Sequence, residues 1–472
     1  MELTIEQVIV ATGASVVQAG DAAPMTGLAI DSRKLAPHEW FVAIKGPHFD
    51  GHDFVTDLLA RGVPGVIVNR DLPNLRTQAL THARTVPWII RVPDTITALG
   101  AIAKMWRARQ SALVRIGITG SNGKSTTKEM VASVVGARGP VLKTEGNFNN
   151  LIGMPLVLLR LSAEHRTAVI EMGMSEFGEI AAMTEFLDPD VGVITNVAPC
   201  HLVSLGTVEN VAKAKGELFA TMRRDATVVV NQEDRWAREL GAAYPGRKIS
   251  YGMQNACEVQ FGRMTSDGLG TTDLTLYVRG AEQRTQIPLP GTHNVMNALA
   301  ATAVGLALEI PVATIMERLP HFTPMRMRME RVQLENGVQV INDCYNANPL
   351  SMQMALRTVG TAKRAGRFLA VLGDMLELGD EALVRHQDVG TQAVAAGVHA
   401  LFLCGEFAEA VASGARDAGG ADVVRQTAPD VTALCEAVAQ TAQRGDVVLV
   451  KGSRGMQMER VVEFLKQRFG VN

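Results

Sequence analysis

The chain has 472 residues, of which 47% are hydrophobic and 20% are charged, and its net charge is −2. This composition is typical of a soluble globular protein and excludes a strongly basic nucleic-acid-binding surface. The five cysteines, an odd number without a C-x-x-C pair, predict neither a disulfide framework nor a zinc site and indicate a reducing cytoplasm. We expect no signal peptide and no membrane span, since the sequence has neither a basic leader nor an apolar run of about 18 residues.

The predicted elements divide the chain into three domains, which we place at residues 1–110, 111–320 and 321–472. The first domain combines short strand-like runs with helices, and a helix leads out of it. Its strand candidates are residues 40–44 and 65–68, and its helix candidates are residues 54–60 and 97–109.

The second and third domains alternate buried strands with helices, which predicts a parallel sheet in each. A proline-containing linker at residues 318–326 separates them. The predicted class is α/β, with a central P-loop-type, mostly parallel sheet covered by helices on both faces, a C-terminal Rossmann-like α/β domain and a smaller N-terminal α/β domain. The strand candidates are residues 113–119, 168–172, 191–195 and 227–230, then 338–342, 368–372, 400–404 and 447–450.

A glycine-rich turn at residues 120–127 joins the first strand of the second domain to the following helix. In such a loop the glycines let the backbone approach a phosphate, and N–H groups at the helix start face the anion. The Lys124 amine would reach the terminal phosphates and the Ser125 hydroxyl would bind Mg²⁺. Because Ile118 stands where the general G-x-x-x-x-G-K-[ST] pattern has its first glycine, a turn with a chance lysine is the alternative.

The same residues have the shorter form T-G-x-N-G-K-[ST]-T, which resembles the ATP loop of the Mur ligases, a family of ATP-dependent peptide ligases. Motifs similar to those of this family are present in all three domains. The resemblance implies that ATP is bound by Gly120, Ser121, Asn122, Gly123, Lys124, Ser125 and Thr126.

The first domain is similar to the part of the Mur ligases that holds the uridine diphosphate (UDP) of the precursor. Its stretches follow the family pattern D-S-R…F-V-A-x-x-G…D-G-H-x-F, with His38-Glu39 where Gly-Asp is usual. By itself, D-S-R is more often a surface turn. The resemblance implies substrate contacts from Ser32, Arg33, Lys45, Asp50, Gly51 and His52.

Residues 144–155 resemble the family's T-x-x-N-x-N-N-x-x-G-x-P substrate segment. Without the resemblance, such an asparagine-rich stretch predicts only a turn. The resemblance implies substrate contacts from Thr144, Asn147, Asn149 and Asn150.

Three further residues correspond to magnesium ligands of the family. Glu171 ends a buried strand, His201 follows the T-N-V run, and Lys215 lies in V-A-K-A-K-G-E. The resemblance implies that they bind Mg²⁺ together with Ser125, Lys215 after reaction with CO₂ to a carbamate, and that with Lys124 they are the catalytic residues. The residues alone are equally consistent with a surface glutamate, a structural histidine and a solvated helical face that includes Lys213.

The third domain contains the runs D-C-Y-N-A-N-P, V-L-G-D-M-L-E-L-G and K-G-S-R. They resemble segments of the D-alanyl-D-alanine-adding branch of the family and separate it from the branches that add other residues. The resemblance implies substrate contacts from Tyr345, Asn346, Asn348, Lys451 and Ser453.

Nucleotide contacts outside the loop are also implied by the resemblance. Asn294 lies in a run similar to the family's H-N-x-x-N-x-x-A-A helix and is expected at the adenine, although an asparagine at a helix start is equally a cap. Asp343 is expected at the ribose. Arg328 is expected at the phosphates, with Arg326 as the alternative because Met327 replaces the family's glycine.

The implied reaction uses ATP and Mg²⁺ to phosphorylate the carboxylate of UDP-N-acetylmuramoyl-tripeptide, after which the amine of D-alanyl-D-alanine displaces the phosphate. We expect a monomer whose third domain closes about the 318–326 linker. Another Mur-family ligase, such as the third-residue ligase or a folylpolyglutamate-synthase-like enzyme, is the alternative. Two different classes, a nucleotide-binding scaffold without ligase activity and a P-loop motor or switch, do not account for the retained catalytic residues and the first domain.

Overall fold

The computed structural model describes residues 1–21, 23–72, 86–254, 256–266 and 268–471. Its strands form three sheets, of five, nine and six strands, and each sheet is built from one consecutive part of the chain. The predicted three-domain α/β fold is therefore confirmed, whereas the exact domain boundaries stay predictions. Among the helices of these residues, none is long and apolar enough to cross a membrane.

The N-terminal sheet has the strand order β1-β5-β4-β3-β2. β1 pairs antiparallel with β5, and the other pairs are parallel. Asp94 caps the exit helix α3, because its side chain accepts the N–H of Thr97 at 2.6 Å. The elements are α1 (Ile5–Thr12), β1 (Ser15–Gln18), β2 (Leu28–Ala29), β3 (Trp40–Val42), α2 (Val55–Ala60), β4 (Gly65–Val68), β5 (Trp88–Arg91) and α3 (Thr95–Ala108).

The central domain contains nine strands and helices on both faces of the sheet. Its elements are β6 (Val114–Thr119), α4 (Lys124–Val135), β7 (Val141–Lys143), α5 (Gly153–Leu158), β8 (Thr167–Glu171), α6 (Glu179–Leu187), β9 (Val191–Ile194), α7 (Leu202–Leu205), α8 (Val208–Thr221), β10 (Thr227–Asn231), α9 (Arg235–Ala243), β11 (Arg247–Gly252), β12 (Val259–Ser266), β13 (Thr272–Val278), β14 (Ala281–Ile287), α10 (Thr292–Ala307) and α11 (Val312–Arg318).

The central sheet has the order β14-β13-β12-β11-β10-β9-β6-β8-β7. From β7 to β12 all neighbouring strands are parallel, as predicted, and the central strands β8, β9 and β10 are buried throughout because helices cover both faces. The strands β12, β13 and β14 extend one edge as antiparallel hairpins. The strand candidates had not included this extension.

The C-terminal sheet has the order β15-β16-β20-β17-β18-β19, with only the β15–β16 pair antiparallel. Pro324 and neighbouring residues connect it to the central domain. The elements are β15 (Glu330–Gln333), β16 (Gln339–Asp343), α12 (Pro349–Thr361), β17 (Phe368–Gly373), α13 (Ala382–Ala395), β18 (Ala400–Cys404), α14 (Ala408–Asp417), β19 (Val424–Ala428), α15 (Thr432–Thr441), β20 (Val447–Lys451) and α16 (Glu459–Phe469).

Two apolar clusters continue across the domain borders. One joins Leu99 and Ile102 of α3 to Met183 and Leu187 of α6, so that the N-terminal and central domains share a core. The other joins α4 and α10 to strands of the C-terminal sheet. Burial of apolar surface therefore stabilises the contacts between domains as well as the domains themselves.

A group of paired charges also attaches α3 to the central sheet. Arg107, near the end of α3, pairs with Asp188 at 3.2 Å. Asp188 and Asp190 pair in addition with Arg115 at 2.8 and 2.7 Å, and both pair with Arg223. Each carboxylate has more than one guanidinium beside it, so removal of either aspartate would leave guanidinium charges poorly compensated.

Candidate active site

The carboxyl ends of three neighbouring parallel strands, β8, β6 and β9, bring the predicted central residues to one edge of the sheet. The glycine-rich loop follows β6, Glu171 is the last residue of β8, and Thr195 follows β9. In open parallel sheets this edge is where ligands bind.

Two glycines of the loop are required by its shape. Gly120 and Gly123 have φ angles of 145° and 81°, which side-chain-bearing residues rarely adopt. A Cβ atom at Gly120 would collide with the Thr195 hydroxyl, and one at Gly123 would collide with the Asn297 amide. The loop therefore closes tightly over the start of α4, as a phosphate-binding turn requires.

The Lys124 side chain folds back over this loop, where its Nζ donates to the Gly120 carbonyl oxygen at 2.7 Å. Burial lowers the pKa of Lys124, and the charge of Glu171 opposes that lowering. The next residue, Ser125, is buried, and its hydroxyl accepts a hydrogen bond from Arg328 Nη2 at 3.0 Å. The opening of the phosphate loop is thus lined by Lys124 of the central domain and by Arg328 of the C-terminal domain.

Glu171 is 3% exposed and is held from two sides. Its Oε1 accepts Asn149 Nδ2 at 2.8 Å, and its backbone N–H donates to Thr144 Oγ1 at 2.9 Å. Its Oε2 is buried and has no hydrogen-bond partner within the described residues. A buried carboxylate oxygen without a partner costs free energy unless a ligand supplies one, so Glu171 fits a metal ion.

The segment that contains Thr144 is tied to α4 by a lysine that the sequence had not singled out. Lys128 is 1% exposed, and its Nζ donates to the Thr144 carbonyl oxygen at 2.6 Å. Asn150 Oδ1 accepts the Gly153 N–H at 2.8 Å. Of these predicted substrate residues, Asn147 and Asn150 are exposed, whereas Thr144 is buried.

The two lysines of α8 have opposite environments. Lys213 has a side chain that is 61% exposed and pairs with Glu209 at 2.9 Å. Lys215 is 1% exposed, and burial, together with the charge of Lys124, lowers its pKa to about 8. The amine of Lys215 is therefore neutral far more often than that of an exposed lysine, which is the state that adds to CO₂.

His201 adopts a left-handed conformation with φ of 53°, and its Nδ1 lies 2.7 Å from Glu377 Oε2 of the C-terminal domain. The Glu377 carbonyl oxygen also accepts the Leu202 N–H at 3.1 Å. No cluster of three or more His, Cys, Asp or Glu side chains suited to a metal occurs in the part of the chain that the structure describes. A role of His201 at a metal stays a prediction, and its contact with Glu377 is new.

One further contact, from Asn348, joins the C-terminal domain to the phosphate loop. Within the C-terminal domain, the Arg328 guanidinium lies over the Tyr345 ring at 4.2 Å from the centroid. Asn348 caps α12, and its Nδ2 donates to Asn122 Oδ1 at 2.8 Å. Arg326 is 85% exposed and points to Glu330, so of the two arginines only Arg328 reaches the loop.

Several predicted residues of the C-terminal domain bind one another. Lys451 Nζ pairs with Asp343 Oδ2 at 2.6 Å and donates to the Asn346 carbonyl oxygen at 2.9 Å. The Ser453 hydroxyl accepts the Leu376 N–H at 2.9 Å. These bonds connect the ends of β16, β17 and β20 and hold the Tyr345 loop in place. The contact of Asp343 with ribose stays a prediction.

Asn294 is 2% exposed at the start of α10. Its Nδ2 donates to the Pro290 carbonyl oxygen at 2.7 Å, and its Oδ1 accepts Asn297 Nδ2 at 3.2 Å. Asn294 lies inside α10, whose N-cap is Gly291 without a side-chain cap bond, so the capping alternative is wrong, whereas the adenine contact stays a prediction. The adjacent His293 had not been predicted, and burial lowers its pKa to about 4.

The predicted residues of the N-terminal domain form two small groups. Arg33 pairs with Asp31 at 2.9 Å with its side chain 85% exposed, beside Ser32. The second group is buried around His52. Its Nδ1 lies 2.6 Å from Asp50 Oδ1, and its Nε2 accepts the Asn69 N–H at 3.2 Å.

Lys45 and Gly51, in the loop that also contains Asp50 and His52, are placed by backbone pairing. Lys45 and Asp50 form a β-bridge, and the N–H of Gly51 donates to the Ile44 carbonyl oxygen at 2.9 Å. A Cβ atom at Gly51 would collide with the Ile44 backbone, which explains the glycine. Arg33 and Lys45 are therefore the exposed members of the predicted set in this domain.

Three family models match the chain. They are the Mur ligase middle domain at residues 118–305, the Mur ligase glutamate ligase domain at residues 327–454 and the catalytic domain of the Mur ligase family at residues 24–107. The phosphate loop and Glu171 fall in the first of these ranges, and Arg328, Tyr345 and Lys451 fall in the second.

Known proteins resemble the chain over nearly its whole length. It is 36% identical over 439 residues to the UDP-N-acetylmuramoyl-tripeptide–D-alanyl-D-alanine ligase of Bacillus subtilis (strain 168), which covers 93% of each chain. The crystal structure of MurF from Acinetobacter baumannii matches with a TM-score of 0.88 and 28% identity over 99% of each chain. MurF ligase from Thermotoga maritima in complex with ADP matches with a TM-score of 0.82 and 25% identity, over 94% of this chain and 98% of that one. The chain therefore belongs to the Mur ligase family, in the group of the UDP-N-acetylmuramoyl-tripeptide–D-alanyl-D-alanine ligases.

Proposed function

We propose that this protein uses ATP to join D-alanyl-D-alanine to UDP-N-acetylmuramoyl-tripeptide, which gives the pentapeptide precursor of peptidoglycan. The observation that carries the proposal is the meeting of the phosphate loop, Glu171 and Arg328 at one point between two domains. Membership in this group of ligases supports the choice of substrates.

The chemistry needs an activated carboxylate, because oxide is too poor a leaving group for an amine to displace. Transfer of the γ-phosphoryl group of ATP to the tripeptide carboxylate gives an acyl phosphate. The dipeptide amine then attacks the carbonyl carbon, and phosphate leaves from the tetrahedral intermediate. Such catalysis consists mainly of positioning and charge compensation.

The residues of the phosphate loop supply both the positioning and the charge compensation. The N–H groups at the start of α4 bind phosphate oxygens, and Lys124 offsets the repulsion between the γ-phosphate and the incoming carboxylate. Arg328 approaches the same point from the C-terminal domain, 3.0 Å from the Ser125 hydroxyl. The Arg328 guanidinium is partly buried and stacked on Tyr345, which holds it in one orientation. There it compensates the negative charge of the phosphoryl group that passes from ATP to the tripeptide carboxylate.

Mg²⁺ is the second proposed cofactor, and bound at this point it would compensate the phosphate charge. Glu171 and Ser125 are the residues that would hold it, since Glu171 Oε2 is buried without a partner among the described residues. The Asn149 amide and the Thr144 hydroxyl keep the Glu171 carboxylate facing the loop. His201 and Lys215 are proposed as further ligands.

Lys215 is proposed to react with CO₂. Its neutral amine attacks the carbon of CO₂ and loses one proton, which gives a carbamate with a negatively charged oxygen. Burial favours this reaction because it disfavours the protonated amine. Intact-protein mass spectrometry tests it: we expect a mass increase of one CO₂ at neutral pH that is lost on acidification and is absent from Lys215→Met.

The remaining predicted residues are proposed to bind different parts of the substrates in different domains. The N-terminal domain is proposed to bind UDP through Ser32 and Arg33, with Lys45, Asp50, Gly51 and His52 forming the loop beside it. Thr144, Asn147, Asn149 and Asn150 are proposed to hold the peptide, and Tyr345, Asn346, Asn348, Lys451 and Ser453 to form the dipeptide side. We also propose that the protein acts as a cytoplasmic monomer, in agreement with its five free cysteines.

The test is phosphate release with ATP, UDP-N-acetylmuramoyl-tripeptide and D-alanyl-D-alanine. We expect release that requires both substrates and a new product whose mass equals the sum of the tripeptide precursor and the dipeptide minus water. Release without the dipeptide would contradict the ligase proposal. Replacing the dipeptide by diaminopimelate, lysine or glutamate separates it from the alternative ligases, since none of these should support turnover.

A further inference from the structure

The acceptor dipeptide has an amine that attacks and a carboxylate that does not react. Once the amine is at the phosphate loop, the carboxylate lies two residues away, at most about 7 Å along an extended chain. A carboxylate brought between two domains is stable only beside a cation or several hydrogen-bond donors. The C-terminal domain should therefore present a cation at that distance from the loop.

Tyr345 lies between two guanidinium groups. On one side Arg328 stacks on the Tyr345 ring at 4.2 Å and bonds to Ser125 of the phosphate loop. On the other side the Tyr345 N–H donates to the Met327 carbonyl oxygen at 3.1 Å, and Met327 Sδ is 3.9 Å from Arg454 Nη1. The charges of both arginines oppose the rise of the Tyr345 pKa that burial causes. One residue, Met327, thus lies between Tyr345 and Arg454.

The other cations of this region are committed elsewhere. Lys451 is 2% exposed and binds Asp343 and the Asn346 carbonyl oxygen. Arg326 pairs with Glu330 at 3.9 Å and borders a cavity that Pro324 and residues 288–290 also line. Lys451 would thus form the dipeptide side as the partner of Asp343 and not as the cation that meets the dipeptide carboxylate.

Arg454 is both anchored and accessible. It begins the short turn after β20, and its Nη1 pairs with Glu459 Oε1 at 2.8 Å. Its side chain is 58% exposed, so other N–H donors of the guanidinium can meet a ligand. Leu376, 45% exposed, packs against the neighbouring Gly455, so an apolar surface suited to methyl groups adjoins the cation.

We propose, on the basis of the function proposed above, that Arg454 binds the terminal carboxylate of the acceptor dipeptide. Glu459 holds the guanidinium in place, and Met327 and Leu376 border the two alanine methyl groups. Two parallel N–H···O bonds to a carboxylate require the planar guanidinium, so lysine would replace it poorly. The site thereby selects an acceptor with a free carboxylate two residues from its amine.

The experiment compares wild type and Arg454→Gln with two acceptors, D-alanyl-D-alanine and its C-terminal amide, which lacks the negative charge. We expect Arg454→Gln to raise the KM for the dipeptide about 10- to 100-fold, while the KM values for ATP and the tripeptide precursor stay unchanged. Wild type should prefer the dipeptide over the amide by a similar factor in kcat/KM, and the variant should lose that preference.

Arg460→Gln is the matched control, because Arg460 is exposed on the adjoining helix and bonds to Thr432 instead. It should retain the preference for the carboxylate. If Arg454→Gln does not fold, Arg454→Lys gives the same comparison and should lose most of the preference. A variant that keeps the full preference would overturn the Arg454 proposal. Wild type whose phosphate release ignores the dipeptide would instead contradict the proposed function.

Discussion

The polar groups of the N-terminal loop and those of the junction between the central and C-terminal domains differ in how completely they are paired. Around His52, both ring nitrogens and the Asp50 carboxylate have partners in the loop itself or just after β4. At the junction, Asn122 Nδ2, Glu171 Oε2 and Arg328 Nε are buried without partners among the described residues. An unpaired buried group costs about 1–3 kcal/mol, so the junction is where bound ligands would improve pairing most.

The largest expected effect is that of Lys124→Met, which tests whether the junction between the central and C-terminal domains serves the reaction. The substitution keeps the length of the side chain but removes the cation that offsets phosphate charge, and we expect kcat to fall about 10³-fold. Stability should not fall, because burial already disfavours the Lys124 charge, as its lowered pKa indicates. Phosphate release and thermal unfolding measure the two effects. A variant with kcat within tenfold of wild type would remove Lys124 from the mechanism.

The second prediction concerns Lys215→Met in CO₂-free buffer. The pKa of about 8 in the folded state lies below the usual 10.5, so holding the charged amine in the fold costs about 3 kcal/mol at pH 7. That cost is fully present below pH 8 and disappears as the pH rises toward 10.5, where the unfolded chain also loses the proton. We therefore expect Lys215→Met to be more stable at pH 7 by about this amount, with the difference vanishing above pH 10.5, and to be inactive.

Lys213→Met is the matched control for Lys215→Met. It lies on the same helix, but its side chain is 61% exposed and forms only a surface pair with Glu209. Urea unfolding at pH 7 and pH 10.5 should show no difference between this variant and wild type beyond about 0.5 kcal/mol. Equal effects at positions 213 and 215 would show that burial of Lys215 does not control its charge.

The third prediction tests the well-paired side of the comparison. His52→Ala would leave the Asp50 carboxylate and the Asn69 N–H without their partner, and we expect the free energy of unfolding to fall by about 2 kcal/mol. Urea denaturation measures this loss. His48→Ala, at an exposed position of the same loop, should be neutral. Unchanged stability of His52→Ala with a raised KM for the precursor would instead show that His52 serves the ligand.

The smallest expected effect is that of Arg33→Gln. The Arg33 side chain is 85% exposed, so its loss should leave the free energy of unfolding nearly unchanged. If Arg33 contacts the UDP diphosphate, the KM for the tripeptide precursor should rise about tenfold while that for the dipeptide stays constant. Lys34→Gln provides the neighbouring control. Unchanged KM values for Arg33→Gln would remove this residue from the UDP site.

The features predicted from the sequence are those with a local cause. The glycines of the phosphate loop and the buried apolar strands β6, β8, β9, β10, β17, β18 and β20 have signals within a few residues, and the structure has them at or near the expected positions. The edge strands β12–β14 were missed because one face is open to solvent, and polar residues interrupt the apolar run. Residues 281–287, for example, read A-E-Q-R-T-Q-I.

Side-chain pairs between distant parts of the chain have no such signal. The contact of Asn348 with Asn122 joins residues 226 positions apart, and that of Arg328 with Ser125 joins residues 203 positions apart. The exposure of Lys213 and the burial of Lys215 likewise depend on what packs against α8. Only the folded chain decides which polar groups are left to meet a ligand.

The paired charges that attach α3 to the central sheet have a consequence for substrate length. Arg107 and the shared apolar core hold the N-terminal domain against the central domain, so we expect the loop proposed to bind UDP and the phosphate loop to keep a nearly constant separation. A precursor anchored by its nucleotide then presents its reacting carboxylate correctly only when the peptide between them has the right number of residues. The fold would thus reject a precursor whose peptide is one residue too short before any chemistry begins.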